Sequence, residues 1–139
     1  MIIVIRDPVY TISAWNDPVA SMMDVCRITD DNMHGFWREW KFDRYDKIGR
    51  QAEVWEHYAK MAVELEGESV LVKYEDIVDD TYNTMVRIAE HISCPRPDKH
   101  DLPNLDNTNR NDRYGADVVD RVKLVVDEVC HTRKELGYS

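Results

Sequence analysis

Residues 2–8 read Ile2-Ile3-Val4-Ile5-Arg6-Asp7-Pro8, a β-branched run that ends at a charged pair and a proline. Such a short, unbroken apolar run is typical of a strand buried on both faces of a parallel sheet, so residues 2–5 predict that strand. Asp7 has the side chain of an N-cap, and Pro8 suits the first helical position, where no amide hydrogen is needed. The stretch therefore predicts a strand that passes directly into a helix.

The helix after residues 2–8 is expected to be short. Residues 9–15 suit a helix, but Asn16, Asp17 and Pro18 interrupt it, because proline lacks the amide hydrogen that a helix interior uses. The interruption is either a kink or a stop followed by a newly capped helix to about Ile28, and two short helices are favoured.

The spacing of apolar residues in the middle of the chain predicts two more helices, one before and one after a second strand. Residues 45–67 predict a long amphipathic helix ending at Gly67, and residues 69–74 predict a strand. Asp79 and Asp80 predict the cap of the next helix. The expected inward residues are Ile48, Ala52, Trp55, Tyr58, Ala62 and Leu65 on the long helix, and Tyr82, Met85, Ile88, Ala89 and Ile92 on the capped one.

The last third of the chain predicts an irregular stretch and one more helix. Residues 94–113 are rich in proline and asparagine and show no helical or strand period, which indicates a surface connection. Asp117 predicts the cap of a final helix that stops near Gly137. Its expected inner face consists of Val118, Val122, Val125 and Val129.

This order of elements predicts the α/β class, a reduced parallel sheet flanked by helices. Two strands are few, because a buried sheet usually has about four to six and an edge strand exposes unpaired backbone groups. We therefore expect the strand at residues 2–5 to be covered by a second copy of the chain, by the chain's own N-terminus or by another polypeptide.

Length and composition bound the possible functions. The 139 residues, 43% hydrophobic and 32% charged, predict one globular domain over residues 1–139. The net charge of -9 argues against a general nucleic-acid or anionic-membrane binder. No apolar run is long enough for a membrane span or a secretory signal, so the expected location is the cytoplasm. Three widely spaced cysteines favour reduced thiols, and the histidine spacing predicts no metal site.

Three motifs carry a family resemblance. The first is residues 3–8, Ile-Val-Ile-Arg-Asp-Pro, a predicted strand that ends in arginine and is followed by a proline two residues later. The second is Tyr74-Glu75-Asp76 at the end of the later predicted strand, and the third is Leu136-Gly137-Tyr138 at the end of the last predicted helix. In this order, joined by a long helix bearing Trp55, they make the chain resemble the C-terminal half of PAPS-dependent sulfotransferases over essentially its whole length.

The resemblance implies a site for 3′-phosphoadenosine 5′-phosphosulfate (PAPS) or for 3′-phosphoadenosine 5′-phosphate (PAP). Arg6 would offer its planar guanidinium to the 3′-phosphate, aided by the positive end of the following helix, and Tyr74 would lie near the adenine. The family's second phosphate ligand is a serine eight residues after the arginine. Here that position is Ala14 and the serine is Ser13, a rotation of about 100° on a helix. Either Ser13 still reaches the phosphate, Thr11 substitutes for it, or this ligand is missing.

The family's phosphosulfate loop, with its catalytic lysine, and its histidine base lie upstream of the strand that carries the arginine. This sequence contains no Gly-Lys-Ser or Gly-Lys-Thr. The resemblance therefore implies no sulfotransferase turnover by residues 1–139 alone, and no catalytic residue is assigned. It also implies a separately encoded N-terminal half as one expected partner.

Each candidate residue also has a structural interpretation. Arg6 can pair with a neighbouring carboxylate, Ser13 can bond a backbone carbonyl of its helix, and Tyr74 can be a half-buried strand residue. The five aromatic residues within 36–45 either form a stacking wall or, as we favour, bury against the sheet or a partner. Arg110 and Arg113 lie where the family's final nucleotide-contacting loop would be; a solvated loop is the other interpretation.

Two functions of different classes follow. The first is a sulfotransferase-like protein that keeps a PAP subsite centred on Arg6, with Ser13 and Tyr74. The second is a non-enzymatic module in which the strand at residues 2–5 and the aromatic segment mediate self-association as a homodimer.

Overall fold

The protein is a mixed α/β chain, as expected, with a two-stranded parallel sheet and several helices. The computed structural model describes residues 1–16, 40–107, 109 and 111–139, and of residue 111 only the backbone. The elements are β1 (Ile2–Ile5), α1 (Pro8–Trp15), α2 (Lys47–Glu64), β2 (Val70–Lys73), α3 (Tyr74–Asp79), α4 (Thr81–His91), a 3-10 turn (Lys99–Asp101), α5 (Asn111–Tyr114) and α6 (Ala116–Val129).

The chain divides into two compact units. The first comprises Met1–Arg6 and Met61–Thr108, and the second comprises Asp7–Lys60 and Asn109–Ser139. The single domain that the length suggests stays a prediction.

In the first unit, β1 pairs with β2 in parallel, with Ile5 opposite Lys73. The expectation that β1 is buried on both faces is wrong. Ile5 is buried and Ile3 half-buried on one face, whereas Ile2 and Val4 on the other are 39% and 56% exposed. The reason is the pleat: alternate residues face opposite sides, and only one side of β1 is covered.

The second strand is shorter than the predicted 69–74. It ends at Lys73, and Tyr74 already begins α3, so Glu75 and Asp76 lie in the first turn of a helix rather than on a strand. Asp80 caps α4 as expected, accepting a hydrogen bond from the amide of Asn83 at 3.3 Å. Of the predicted stripe on α4, Ala89 is buried, while Ile92, at the end of the helix, is 47% exposed.

In the second unit, α1 follows the prediction. The carboxylate of Asp7 accepts from the Val9 amide at 2.7 Å, Pro8 occupies the first turn, and the helix stops at Trp15 with Asn16 as its C-cap. The predicted second helix to about residue 28 lies outside the described residues. The long helix is confirmed as α2, whose residues up to Lys60 belong to the second unit, although Tyr58, one of its expected inward residues, is 47% exposed.

The last helix differs from its prediction in start, face and end. Gly115, with a φ of 82°, precedes the first helical residue, and Asp117 lies inside the first turn without capping it. The buried residues are Val119, Val122 and Val126. The helix ends at Val129 rather than near residue 137, and α1 packs against it.

Candidate functional site

Arg6 and Tyr74 meet at the carboxyl edge of the parallel sheet. Each directly follows the last residue of its strand, and the register that places Ile5 opposite Lys73 places the next residues side by side. The guanidinium carbon of Arg6 lies over the ring of Tyr74, 4.7 Å from its centroid, and both residues are half-buried. A cation this close to an aromatic face is attracted by the ring's quadrupole, so the contact favours this arrangement of the pair.

The hydroxyl of Tyr74 has a second neighbour. It donates to the backbone carbonyl of Asp106 at 3.5 Å, at the long limit of a hydrogen bond. Three segments of the first unit therefore meet at this edge: the end of β1, the start of α3 and the irregular stretch after α4. The family's final nucleotide-contacting loop would lie in this region, and a solvated loop was the other interpretation. The observed partner of Tyr74 is a backbone carbonyl oxygen, which no side-chain pattern indicates.

Ser13 lies in α1, in the second unit, and the other two candidate residues lie in the first. Its side chain is completely buried, and its hydroxyl has no hydrogen-bond partner among the described residues. The structural interpretation, a hydroxyl bonded to a backbone carbonyl of its own helix, is not observed. Thr11, the proposed substitute, does make that bond: its hydroxyl donates to the Asp7 carbonyl at 2.9 Å.

The partial positive charge at the amino end of α1 already has a negative partner in the Asp7 carboxylate. The Asp7 carboxylate accepts a hydrogen bond from the Val9 amide, which is one of the donors that a helix amino end offers to an anion. Asp7, Val9 and Tyr10 line a cavity of about 260 Å³ together with Lys123 and Arg133. Burial and the Asp7 carboxylate raise the pKa of Tyr10 above its usual range. The expected help from the helix dipole is therefore reduced.

The other segments singled out in the sequence are only partly brought together. In the second unit, Trp40 stacks on Phe42 at 5.8 Å and meets His57 edge-on at 4.5 Å, while residues 36–39 lie outside the described chain. Arg113 lies near Tyr114, 5.9 Å from its ring centroid, and Arg110 is outside the described residues. Across the described ranges, no three metal-ligating side chains form a group that could hold an ion.

No protein-family model, curated protein or solved structure matches this chain. Within the described part of the chain, no helix combines the length and the apolar composition that a membrane span requires.

Proposed function

We propose that this chain is a sulfotransferase-like protein whose Arg6 and Tyr74 bind the 3′-phosphoadenosine moiety of PAPS or PAP. The observation that carries the proposal is the guanidinium of Arg6 held 4.7 Å from the ring centroid of Tyr74, at the carboxyl ends of adjacent parallel strands. In open α/β sheets, ligands bind outside this edge.

The chemistry of the pair suits a phosphorylated nucleoside. A guanidinium carries planar N–H donors that can bind phosphate oxygens bidentately. Because the ring restricts the arginine side chain, less conformational entropy remains to be lost on binding. The aromatic ring itself is a surface on which an adenine can stack.

The proposal concerns binding and orientation of the donor nucleotide. Ser13, which lies in the second unit, stays a prediction of the family resemblance, and the proposed site consists of Arg6 and Tyr74. No catalytic step is assigned to any residue, and residues 1–139 alone are expected to show no sulfuryl transfer.

The test is a calorimetric titration with PAP, with 5′-AMP as the ligand that lacks the 3′-phosphate. We expect selective binding of PAP, weakened about ten- to a hundred-fold by Arg6→Ala, as the loss of charge-assisted hydrogen bonds predicts. Arg6→Lys is expected to restore only part of the affinity, since lysine lacks the planar fork.

Arg96→Ala is the matched control. It removes the same charge from an exposed arginine that pairs with Glu90. Equal affinity for the two nucleotides, an equal loss in both alanine variants, or no binding by the folded protein would overturn the proposal.

A second candidate function rests on the exposure of β1. Val4 and Ile2 face solvent although their β-branched side chains favour burial, and β2 is the only strand that pairs with β1 in the described chain. Such an edge is a template for pairing with another chain. On this proposal the protein is a self-associating module, a homodimer, with another polypeptide that adds a strand beside β1 as the alternative partner. Sedimentation over a concentration series tests it.

A further inference from the structure

The cavity of about 260 Å³ at the start of α1 lies within the second unit. Its lining consists of Asp7, Val9 and Tyr10 at the start of α1, Lys123 and Asp127 on α6, and Arg133 and Ser139 after α6. Because α1 packs against α6, side chains from distant parts of the sequence meet here. The volume is below the roughly 300–1,000 Å³ that is typical of sites for drug-sized ligands, so the cavity suits a smaller molecule.

Arg133 is a buried cation in this lining. Its side chain is only 10% exposed, and its guanidinium donates to the Asp127 carboxylate, its one side-chain partner among the described residues. A guanidinium has five N–H donors, and a buried charge is costly when its donors stay unpaired. No nitrogen of Arg133 is both fully buried and without a partner in the described chain, so its other donors reach accessible space. The cavity that Arg133 lines provides such space.

The charged side chains around the cavity are of both signs. Lys123 is the second cation, and its ammonium lies 4.0 Å from the Asp120 carboxylate, at the limit of an ion pair. Asp7 is the second carboxylate, and it accepts from the Val9 amide at 2.7 Å, although a carboxylate has about four acceptor sites. A simple anion in the cavity would lie near two carboxylates, and a simple cation would lie near two cations. A molecule with one charge of each sign avoids both repulsions.

We propose that this cavity binds a small α-amino acid, whose carboxylate contacts Arg133 and Lys123 and whose ammonium contacts Asp7. The planar guanidinium matches the two oxygens of a carboxylate. The hydroxyl of Tyr10 is a further donor, because burial and the Asp7 carboxylate raise its pKa and it keeps its proton at neutral pH. Val9, which is 6% exposed, adds an apolar surface that suits a small apolar side chain such as that of alanine.

The test is a titration of the isotope-labelled full-length protein with L-alanine, followed by amide chemical shifts. Propionate is alanine without its amine, and ethylamine is alanine without its carboxylate. Alanine is expected to bind in about the millimolar range, because a ligand of so few atoms makes few contacts. Each analogue is expected to bind at least about five-fold more weakly, since it lacks one set of charge-assisted hydrogen bonds. The shifted amides are expected at the start of α1 and at the carboxyl end of α6.

Two substitutions test the assigned contacts. Lys123→Met removes a cation whose side chain is 48% exposed, so the variant is expected to fold and to bind alanine about three- to ten-fold more weakly. Lys134→Met is its matched control, because it removes the same charge from an exposed lysine that is not part of the lining. Asp7→Asn keeps a capping side chain and is expected to lower the affinity by a similar factor.

This inference is independent of the proposed nucleotide function, because the cavity lies in the second unit whereas Arg6 and Tyr74 lie in the first. The PAP titration tests that function, and either proposal can fail while the other stands. Affinity for propionate or ethylamine equal to that for alanine overturns the amino-acid site, as does a lack of shifts at the named amides. Unchanged affinity in Lys123→Met, or an equal loss in both methionine variants, overturns it as well.

Discussion

Two hydroxyl side chains in α1 have opposite environments, and the contrast yields a prediction. The hydroxyl of Ser13 is buried with no partner among the described residues, whereas that of Thr11 donates to the Asp7 carbonyl. A buried hydroxyl without a partner costs about 1–3 kcal/mol, and alanine is a better helix former than serine. Without nucleotide, Ser13→Ala is therefore expected to raise the free energy of unfolding by about 1 kcal/mol, measured by urea denaturation.

Thr11→Val is the matched control. It removes a hydroxyl whose bond is made, so it is expected to lower the free energy of unfolding by about 1 kcal/mol. If Ser13→Ala also destabilises the protein, its hydroxyl has a partner in the ligand-free protein. If Ser13 is a phosphate ligand, the same substitution that stabilises the chain lowers its affinity for PAP.

A buried acid in the second unit shows which residues sequence patterns cannot find. Glu56 lies on the inner side of α2, and its carboxylate accepts from the Thr132 hydroxyl at 2.8 Å and from the Thr132 amide. Helical periodicity predicts apolar residues at such positions, and the partner is far away along the chain. Next to it, burial and the Glu56 carboxylate raise the pKa of Cys130 to about 12, so this thiol stays uncharged at neutral pH.

At the scale of elements, local signals predicted starts and ends well where the partner is near in sequence. Asp7 with Pro8 correctly predicted the start of α1, and Asp80 that of α4. The last helix was misplaced because its end depends on tertiary contacts. Thr132 is bound by Glu56, and Cys130 donates to the Ala52 carbonyl at 3.6 Å, so the chain leaves the helix after Val129.

The start of α2 offers a test of electrostatics in an element. Asp46 accepts from the Gly49 amide at 2.8 Å, as an N-cap does, and from the Arg44 guanidinium at 3.3 Å. Partial burial raises the pKa of this carboxyl, but the Gly49 amide and Arg44 outweigh that effect, so its pKa lies below the usual value. Its stabilising contribution is therefore present at neutral pH and is lost as the pH falls through the lowered pKa.

Asp46→Asn keeps a good capping side chain and removes the charge. The variant is expected to be less stable than the wild type at pH 7, and the difference is expected to shrink as the pH falls through the lowered pKa of Asp46, where the folded wild-type carboxyl becomes protonated. Urea denaturation from pH 7 to pH 3 measures the difference. A difference that does not change with pH would contradict the assignment, while Asp46→Ala, which also loses the cap, is expected to be less stable than Asp46→Asn by about 1 kcal/mol at every pH.

At the scale of the whole molecule, the sequence predicted the pairing of its two strands but only part of the candidate site. The family resemblance implied that Arg6 and Tyr74 share one nucleotide site, and the structure places the two side chains in contact at the ends of paired strands. The contact of Tyr74 with Asp106 was not predictable, since a backbone carbonyl in an irregular stretch leaves no pattern. No local sequence pattern indicates that Ser13 belongs to a different unit from Arg6 and Tyr74, because helical spacing does not show how the chain divides into units.

The sequence placed Ile3 in a strand buried on both faces, so that Ile3→Lys would disrupt assembly or folding. The structure separates these two effects. Ile3 is half-buried on the covered face, whereas Val4 is 56% exposed on the open face. Burying a lysine costs several kcal/mol, so Ile3→Lys is expected to lower the free energy of unfolding. Val4→Lys leaves its charge in water and is expected to keep the fold.

For assembly, Val4→Lys is the informative variant, because it changes the exposed face of β1 and is expected to keep the fold. If β1 joins a second copy, Val4→Lys is expected to raise the dimer dissociation constant at least about ten-fold, because lysines on an edge strand oppose pairing with another strand. The Val4→Thr variant keeps the β-branched shape, so its dimer is expected to dissociate less readily than the Val4→Lys dimer. Sedimentation velocity from low to high micromolar concentration, with circular dichroism to confirm folding, measures both. A wild type that sediments as a folded monomer throughout this range, or a Val4→Lys dimer of unchanged dissociation constant, would show that β1 is not the surface through which copies of this chain associate.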